Sequence, residues 1–392
     1  MAARHILVAG AGIGGLTAAL ALARAGFDVT IVERAQALEE AGAGVQLAAN
    51  ATRCLKTLGV YERVAANAVF PEAFEVMDGR CGIRLTGAPM GAQAEARFGG
   101  PFLVIHRADL HSALLAAVRE TPAIALKLGH AVEGFEAEGD GVAVRCGERL
   151  HADALIGADG LRSAVRLQLH PEAKPSFRHR AAWRATVPAG ALPARLAGPI
   201  TRLWLGPGAH LVSYPVKGGE AVNLVAVTPD EREVHGWNLE GAPGELLAHY
   251  SGWSADALAL IGAPERWLRW ALFDLDPMPA WGTGAVTLLG DAAHAMPPFL
   301  AQGAAQAIED AVVLADLLKS TAAIDSATIP AALRHYEALR LPRTARVQKA
   351  ARGMDRIYHL AGPARLARDL VMRARPGDAV LERYRWIYDW TP

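Results

Sequence analysis

Gly10, Gly12 and Gly15 lie in "ILVAGAGIGGLTAALALARAGFDVTIVER", and Glu33 follows eighteen residues after the last of them. Glycines at this spacing, between an apolar run and a helical one, turn the chain tightly, admit a pyrophosphate to the backbone and seat a helix on a strand. The helix that starts there offers free N–H groups and a partial positive charge to phosphates. Glu33, with Arg34 beside it, sits at the end of the next strand, placed to accept hydrogen bonds from a ribose. An acid there disfavours a 2′-phosphate. A glycine-rich turn in an unrelated α/β domain is the plainer alternative.

Two more acids follow short apolar runs. Asp159 stands in "ALIGADGLRSAVR" (154–166) and Asp291 in "AVTLLGDAAHAM" (285–296). Runs such as 154–156 and 286–289 suit strands buried on both faces of one parallel sheet. All three loops then meet at its carboxyl edge, where ligands bind, and a ligand that touches all three is long. FAD meets that requirement. After Asp291, Pro297 and Pro298 stiffen a loop. A helix beginning near Gln302 and Gly303 follows, with Ala304, Ala305, Ile308, Val312, Ala315 and Leu318 on its apolar stripe and Glu309, Asp310 and Asp316 on other faces. Its N-terminus, aimed at the redox end of a flavin, stabilises an anion there by up to roughly 2 kcal/mol. A core helix after a proline turn is the alternative.

A third set lies in "GAHLVSYPV". Alternation along a strand puts His210, Val212 and Tyr214 on one face, with His and Tyr ~13 Å apart at ~3.3 Å per residue. Both then reach one aromatic-sized pocket. Imidazole is suited to proton transfer near neutrality, so His210 is a candidate proton-transfer group with Tyr214 on the same face. Two solvent-facing residues on an exposed strand are the alternative. Gln46 offers an amide contact from the flavin side, and Pro298 and Phe299 an apolar wall.

The elements that hold these residues change texture along the chain. Residues 180–188, 201–206, 210–216 and 221–227 are short β-prone runs broken by Gly and Pro, as in an antiparallel sheet. "FEVMDGRCGIRL" (74–85) reads as a hairpin joining it. The fold class expected is therefore α/β, with three parts. A discontinuous Rossmann-like FAD-binding domain takes residues 1–72, 98–178 and 276–345. A β-sheet substrate domain takes 73–97 and 179–275. A C-terminal helical segment takes 346–392, and Pro342 is expected to kink the helix before it.

The motif set resembles the flavoprotein aromatic hydroxylases of the p-hydroxybenzoate and salicylate hydroxylase type. The resemblance runs from Ile6 to about Arg343, on "GAGIGG" with Glu33, "GADGLRSAVR" and "GDAAHAMPPFLAQGA…AIED" in order. It implies a glutathione-reductase type of FAD domain with tightly held, non-covalent FAD, Asp291 on the ribityl chain, Asp159 in a loop serving FAD and the nicotinamide donor, and Arg107 near the phosphate and ribityl region. "GAGVQLAANATRCLKTLG" (42–59) matches the segment beside the flavin. "GPGAHLVSYPV" resembles the branch that hydroxylates 3-hydroxybenzoate and 6-hydroxynicotinate, whose matching His and Tyr contact substrate, which implies His210 as the base for a phenolic proton and Tyr214 as a hydrogen-bonding partner, although Gln46 stands where a pyridine-specific branch carries His. Ala295 replaces the proline usual after Gly-Asp-Ala-x-His. The activity implied is hydroxylation of a small aromatic acid or phenol with NADH or NADPH and dioxygen, through a flavin C4a-hydroperoxide. An epoxidase or dehydrogenase of the same fold, or a non-catalytic nucleotide-binding module, remains open.

Composition sets the outer bounds. The 392 residues carry 40 Lys+Arg against 40 Asp+Glu and are 52% hydrophobic, so nothing points to a nucleic-acid or membrane-surface partner. Cys54, Cys81 and Cys146 are scattered without ligand spacing, suggesting neither a disulfide framework nor a metal site. A cytoplasmic enzyme is expected, a homodimer being possible.

Overall fold

A computed structural model describes residues 4–38, 43–234, 239–319, 328–375 and 377–392, so that Gly42 of the flavin-side segment lies outside the described residues. Strands Val286–Leu288, Ala154–Gly157, His5–Ala9, Asp28–Glu33 and Ile124–Leu128 lie in that order in one sheet, every neighbour parallel. Ile6, Leu7, Val8, Leu155, Ile156 and Leu288 are fully buried, as strands covered on both faces require. The first three of these strands are adjacent. Their carboxyl ends therefore deliver the loops of Asp291, Asp159 and Gly10 side by side.

An eight-stranded sheet forms the second layer, in the order Leu239–Gly241, Trp267–Asp274, Ser176–Pro188, Ala221–Pro229, His210–Val216, Ile200–Leu205, Ala73–Asp78 and Arg84–Pro89. The sheet is mixed, which corrects the antiparallel expectation at one place: Ile200–Leu205 runs parallel to Ala73–Asp78. These two strands come from separate passages of the chain, so no hairpin dictates their relative direction. Residues 74–85 do form the expected hairpin, as the strands Ala73–Asp78 and Arg84–Pro89.

Helix Gly303–Lys319 packs on Ile13–Arg24 and on Ile329–Tyr358. The last of these passes through Pro342 without ending. The apolar stripe of Gly303–Lys319 is only part of its buried surface, because Glu309 and Asp310 are also fully buried. The pattern left both off the core face. They are tolerated inside because cations meet them: Arg340 Nη1 lies 2.7 Å from Glu309 Oε2, Arg340 Nε 2.6 Å from Asp310 Oδ1, and Arg343 Nε 2.6 Å from Glu309 Oε2. Arg343 also donates to the carbonyls of Trp386 and Ile387 at 3.0 Å, anchoring the C-terminal turn.

Candidate active site

The three glycines of the first loop do different work. Gly10 has φ +100°, and a Cβ there would meet the Ala158 carbonyl oxygen at 2.6 Å, so the first and second loops touch backbone to backbone. A Cβ at Gly15 would run into the Gly10 carbonyl, which is the close helix approach. At Gly12, which caps the helix Ile13–Arg24, nothing lies within 4 Å of such an atom. The open space faces the unpaired N–H groups of a helix start, the environment a pyrophosphate needs. Glu33 accepts hydrogen bonds from the Ala11 and Ala35 N–H groups at 2.8 and 2.9 Å, which holds its carboxylate at the loop. Arg34 is exposed and lines neither of the cavities described below.

Gly12, Arg107, Asp291 and Gly303 line one cavity of about 310 Å³. Loops distant in sequence thus converge on a single space. Asp291 opens the short helix Asp291–His294, and its Oδ1 stands 3.9 Å from where a Cβ of Gly303 would be. His294 Nε2 contacts Asp310 Oδ2 at 2.6 Å and so ties this loop to the helix behind it. Ala158 and Gly160 line the space, whereas Asp159 turns Oδ2 to the Ala164 N–H at 2.7 Å. Burial raises the Asp159 carboxyl, and its Oδ1 is buried without a hydrogen bond. Gln302 is buried and lines the adjoining cavity rather than this one, accepting from Asn50 Nδ2 at 3.0 Å.

His210 and Tyr214 both line the larger, cofactor-side cavity, whereas Tyr214 does not reach the smaller aromatic-sized one in which the alternation along the strand placed them together. Tyr214 packs on Gly44, where a Cβ would come within 2.6 Å of its hydroxyl oxygen. Burial pushes its phenol up, against Arg184. Arg184 escaped the sequence reading. Its guanidinium lies 4.0 Å over the Trp270 ring and lines the same cavity, and burial pulls it down to about 10. The "WLRW" run that contains Trp270 gave no sign of this platform.

A second cavity, of about 210 Å³, adjoins the first. Gln46, His210, Val212, Pro298 and Ala301 line both. Val76, Leu203 and Phe299 give it an apolar wall. The wall is completed by Met372, Leu381, Tyr384 and Tyr388 from the C-terminal helical segment. His210 is 3% exposed, its Nδ1 lies 2.7 Å from His359 Nε2, and the Phe299 and Tyr358 rings meet it edge-on at 5.4 and 5.3 Å. Burial, then His359 and Arg180, lower it well below the ordinary imidazole range. The ring is therefore neutral.

A family model described as "FAD binding domain" matches residues 4–351. The 3-hydroxybenzoate 6-hydroxylase of Polaromonas naphthalenivorans is 38% identical over 388 residues, 98% of this chain and 96% of that protein. The chain belongs to the FAD-dependent aromatic hydroxylases. Another relative in this family, the 3-amino-4-hydroxybenzoate 2-monooxygenase PtmB3 of Streptomyces platensis, is 40% identical over 98% of this chain and 95% of its own. The crystal structure of Klebsiella pneumoniae HpxO complexed with FAD and uric acid superposes with a TM-score of 0.87 at 27% identity, covering 98% of this chain and 96% of the other. Membership makes FAD the cofactor. The residues fit it: open space at Gly12 for the pyrophosphate, and a carboxylate at Asp291 and the helix start at Gly303 on the wall of the same cavity. Among the described residues no helix is long and apolar enough to cross a membrane.

Proposed function

We propose that this hydroxylase acts on a small phenolic acid, with NADH or NADPH as reductant and dioxygen as oxidant, and that His210 draws the phenolic proton while Tyr214 hydrogen-bonds beside it. The observation that carries the reading is the position of His210 at the junction of the two cavities, where a ring in the smaller one lies against a flavin in the larger. Gly10, Gly12, Gly15, Glu33 and Arg107 hold the nucleotide half of FAD. Asp291, with the helix start at Gly303 and the neighbouring Gln302, holds the flavin half. Bound FAD supplies activation of dioxygen and transfer of one oxygen atom to the arene. The protein does the rest. Val212, Phe299 and Leu203 orient the ring and exclude water, His210 Nε2 accepts the hydroxyl proton, and loss of that proton makes the ring electron-rich toward an electrophilic oxygen. Arg375 and Arg383, both exposed, give the smaller cavity a positive rim that favours an anionic substrate.

Relatives named for 3-hydroxybenzoate and 3-amino-4-hydroxybenzoate make these the first compounds to try. Purified holoenzyme is incubated with each, and with salicylate, 4-hydroxybenzoate and 6-hydroxynicotinate, while NADH and NADPH oxidation and products are followed. A hydroxylated arene formed in step with reductant consumption is expected. Reductant oxidised with none of these arenes hydroxylated overturns the proposal. His210→Ala is expected to keep FAD while losing hydroxylation or diverting it to peroxide.

A further inference from the structure

Tyr358, Tyr384 and Tyr388 line the smaller, aromatic cavity, and burial raises all three phenols, so each is a neutral donor. Two are committed. Tyr358 donates to the Phe299 carbonyl at 2.9 Å and Tyr384 to Met354 Sδ at 3.2 Å. The Tyr388 hydroxyl has no hydrogen-bond partner among the described residues, and it is not sealed inside the protein either. We propose that Tyr388 is a substrate-binding residue whose hydroxyl donates to the carboxylate of the aromatic acid, and that Arg53 is a positioning residue that holds it there. The inference rests on the substrate being a phenolic acid.

Volume and charge set the orientation of the ring. An apolar cavity of about 150 Å³ admits benzene, so the space of about 210 Å³ here takes one substituted ring. Its cations are Arg375 and Arg383, which belong to the same C-terminal segment as Tyr388, and no carboxylate among the described residues pairs with either. The Arg383 guanidinium lies 5.8 Å from the centroid of the Tyr384 ring. An anionic group is drawn to that wall, which leaves the hydroxyl of the same ring to His210. A carboxylate taken out of water also needs a direct donor, and the Tyr388 hydroxyl is the uncommitted one among the three tyrosines.

The place of Tyr388 is fixed from outside its own turn, Arg385–Tyr388. Arg53, on the helix Ala49–Thr57, donates from Nη2 to the Tyr388 carbonyl at 2.9 Å and to the Trp390 carbonyl, and from Nη1 to the Phe98 carbonyl. The Tyr388 ring in turn meets Phe98 and Phe102 edge-on at 5.6 and 5.0 Å. One guanidinium thus holds both the backbone that carries the phenol and the backbone of a ring it packs on. Arg343 grips the two carbonyls before Tyr388, but it also faces Glu309, so its loss would disturb the flavin side as well. Arg53 is the cleaner handle.

The test uses holoenzyme carrying Tyr388→Phe, Arg53→Met, Arg53→Lys, or Tyr388→Phe with Arg53→Met. Binding is read from the perturbation of the flavin spectrum by 3-hydroxybenzoate, or by whichever phenolic acid the wild type hydroxylates, and by the same phenol without its carboxylate. Tyr388→Phe keeps the ring and loses only the hydroxyl. The dissociation constant of the acid is expected to rise by about tenfold or more while that of the phenol stays within about twofold, with FAD content and thermal unfolding unchanged. Arg53→Met should show the same selectivity at about threefold or more, Arg53→Lys should recover part of it, and the double variant should be no worse than Tyr388→Phe alone. A Tyr388→Phe protein that holds the acid as tightly as the wild type, or that loses acid and phenol equally, overturns the inference. Additive losses in the double variant remove Arg53 and leave Tyr388. A wild type that hydroxylates none of the phenolic acids ends the proposed function and this inference with it; one that does, with acid binding unchanged in Tyr388→Phe, ends this inference alone.

Discussion

The cofactor cavity and the aromatic cavity share five wall residues, yet they are assembled by opposite means. Around Gly10, Gly12 and Gly15 the chain works with backbone. Positions are dictated by where a Cβ would collide, and the partners are loops from three adjacent parallel strands. The aromatic cavity works with side chains: valines and leucines of one sheet face, a phenylalanine from the flavin loop, and tyrosines from helices near the chain end. Backbone geometry leaves little choice of residue. A side-chain wall admits many solutions of similar volume, so one region is constrained to a common ligand and the other is free to fit different rings.

The strongest way to break that contrast is at the glycines. Gly15→Ala puts a methyl group into the Gly10 carbonyl and is expected to abolish FAD binding or yield insoluble protein. Gly12→Ala places it in open space at an ordinary φ of −73°, so the fold should persist while FAD weakens by about tenfold or more. Visible absorbance and thermal unfolding of apoprotein and holoprotein separate the two. Equal behaviour of both variants would erase the division of labour between them.

Acid provides the next largest effect. Burial alone would raise Asp310, but His294 and Arg340 hold it down, to about 2. Its unfolded carboxyl titrates near 3.9. A folded value below the unfolded one contributes stability that is complete above about pH 4 and is lost as pH falls toward 2, roughly 2 kcal/mol in all. Denaturant unfolding across that window should show the loss, and Asp310→Asn should flatten that part of the slope. Because His294 and Arg340 both grip Asp310, acid is expected to loosen the cofactor side before the aromatic side.

On the aromatic side, Tyr388→Ala removes part of the wall without touching a residue of the larger cavity. Binding of an aromatic acid is expected to weaken by about tenfold, with more reductant diverted to peroxide and the flavin spectrum unchanged. Loss of FAD in this variant would show that the two regions are not separable. The smallest effect is expected at Arg34. Its exposed side chain lines neither cavity, so Arg34→Ala should change the FAD dissociation constant by less than about threefold, read by flavin fluorescence.

The same contrast explains what was legible in the sequence. Gly10, Glu33, Asp159 and Asp291 stand out because their motifs encode local turns, and parallel pairing of buried apolar strands then brings the loops together. Alternation along one strand brought His210 to the aromatic cavity but did not separate it from Tyr214, which lines only the larger one. Arg184 and Trp270 come from neighbouring strands whose register no local pattern gives. Glu309 and Asp310 looked solvated, because Arg340 and Arg343, some thirty residues onward, cancel the cost of burying them only once two helices pack. The C-terminal tyrosines carry no spacing signal, and the contact between His210 and His359 crosses 149 residues of sequence.

The partition between the cavities is thin, and Gln46, His210, Val212, Pro298 and Ala301 each present a surface to either side. Each guest is thus part of the other's enclosure. Linkage then requires that whatever factor an aromatic acid adds to the grip on flavin, the flavin returns to the acid in full.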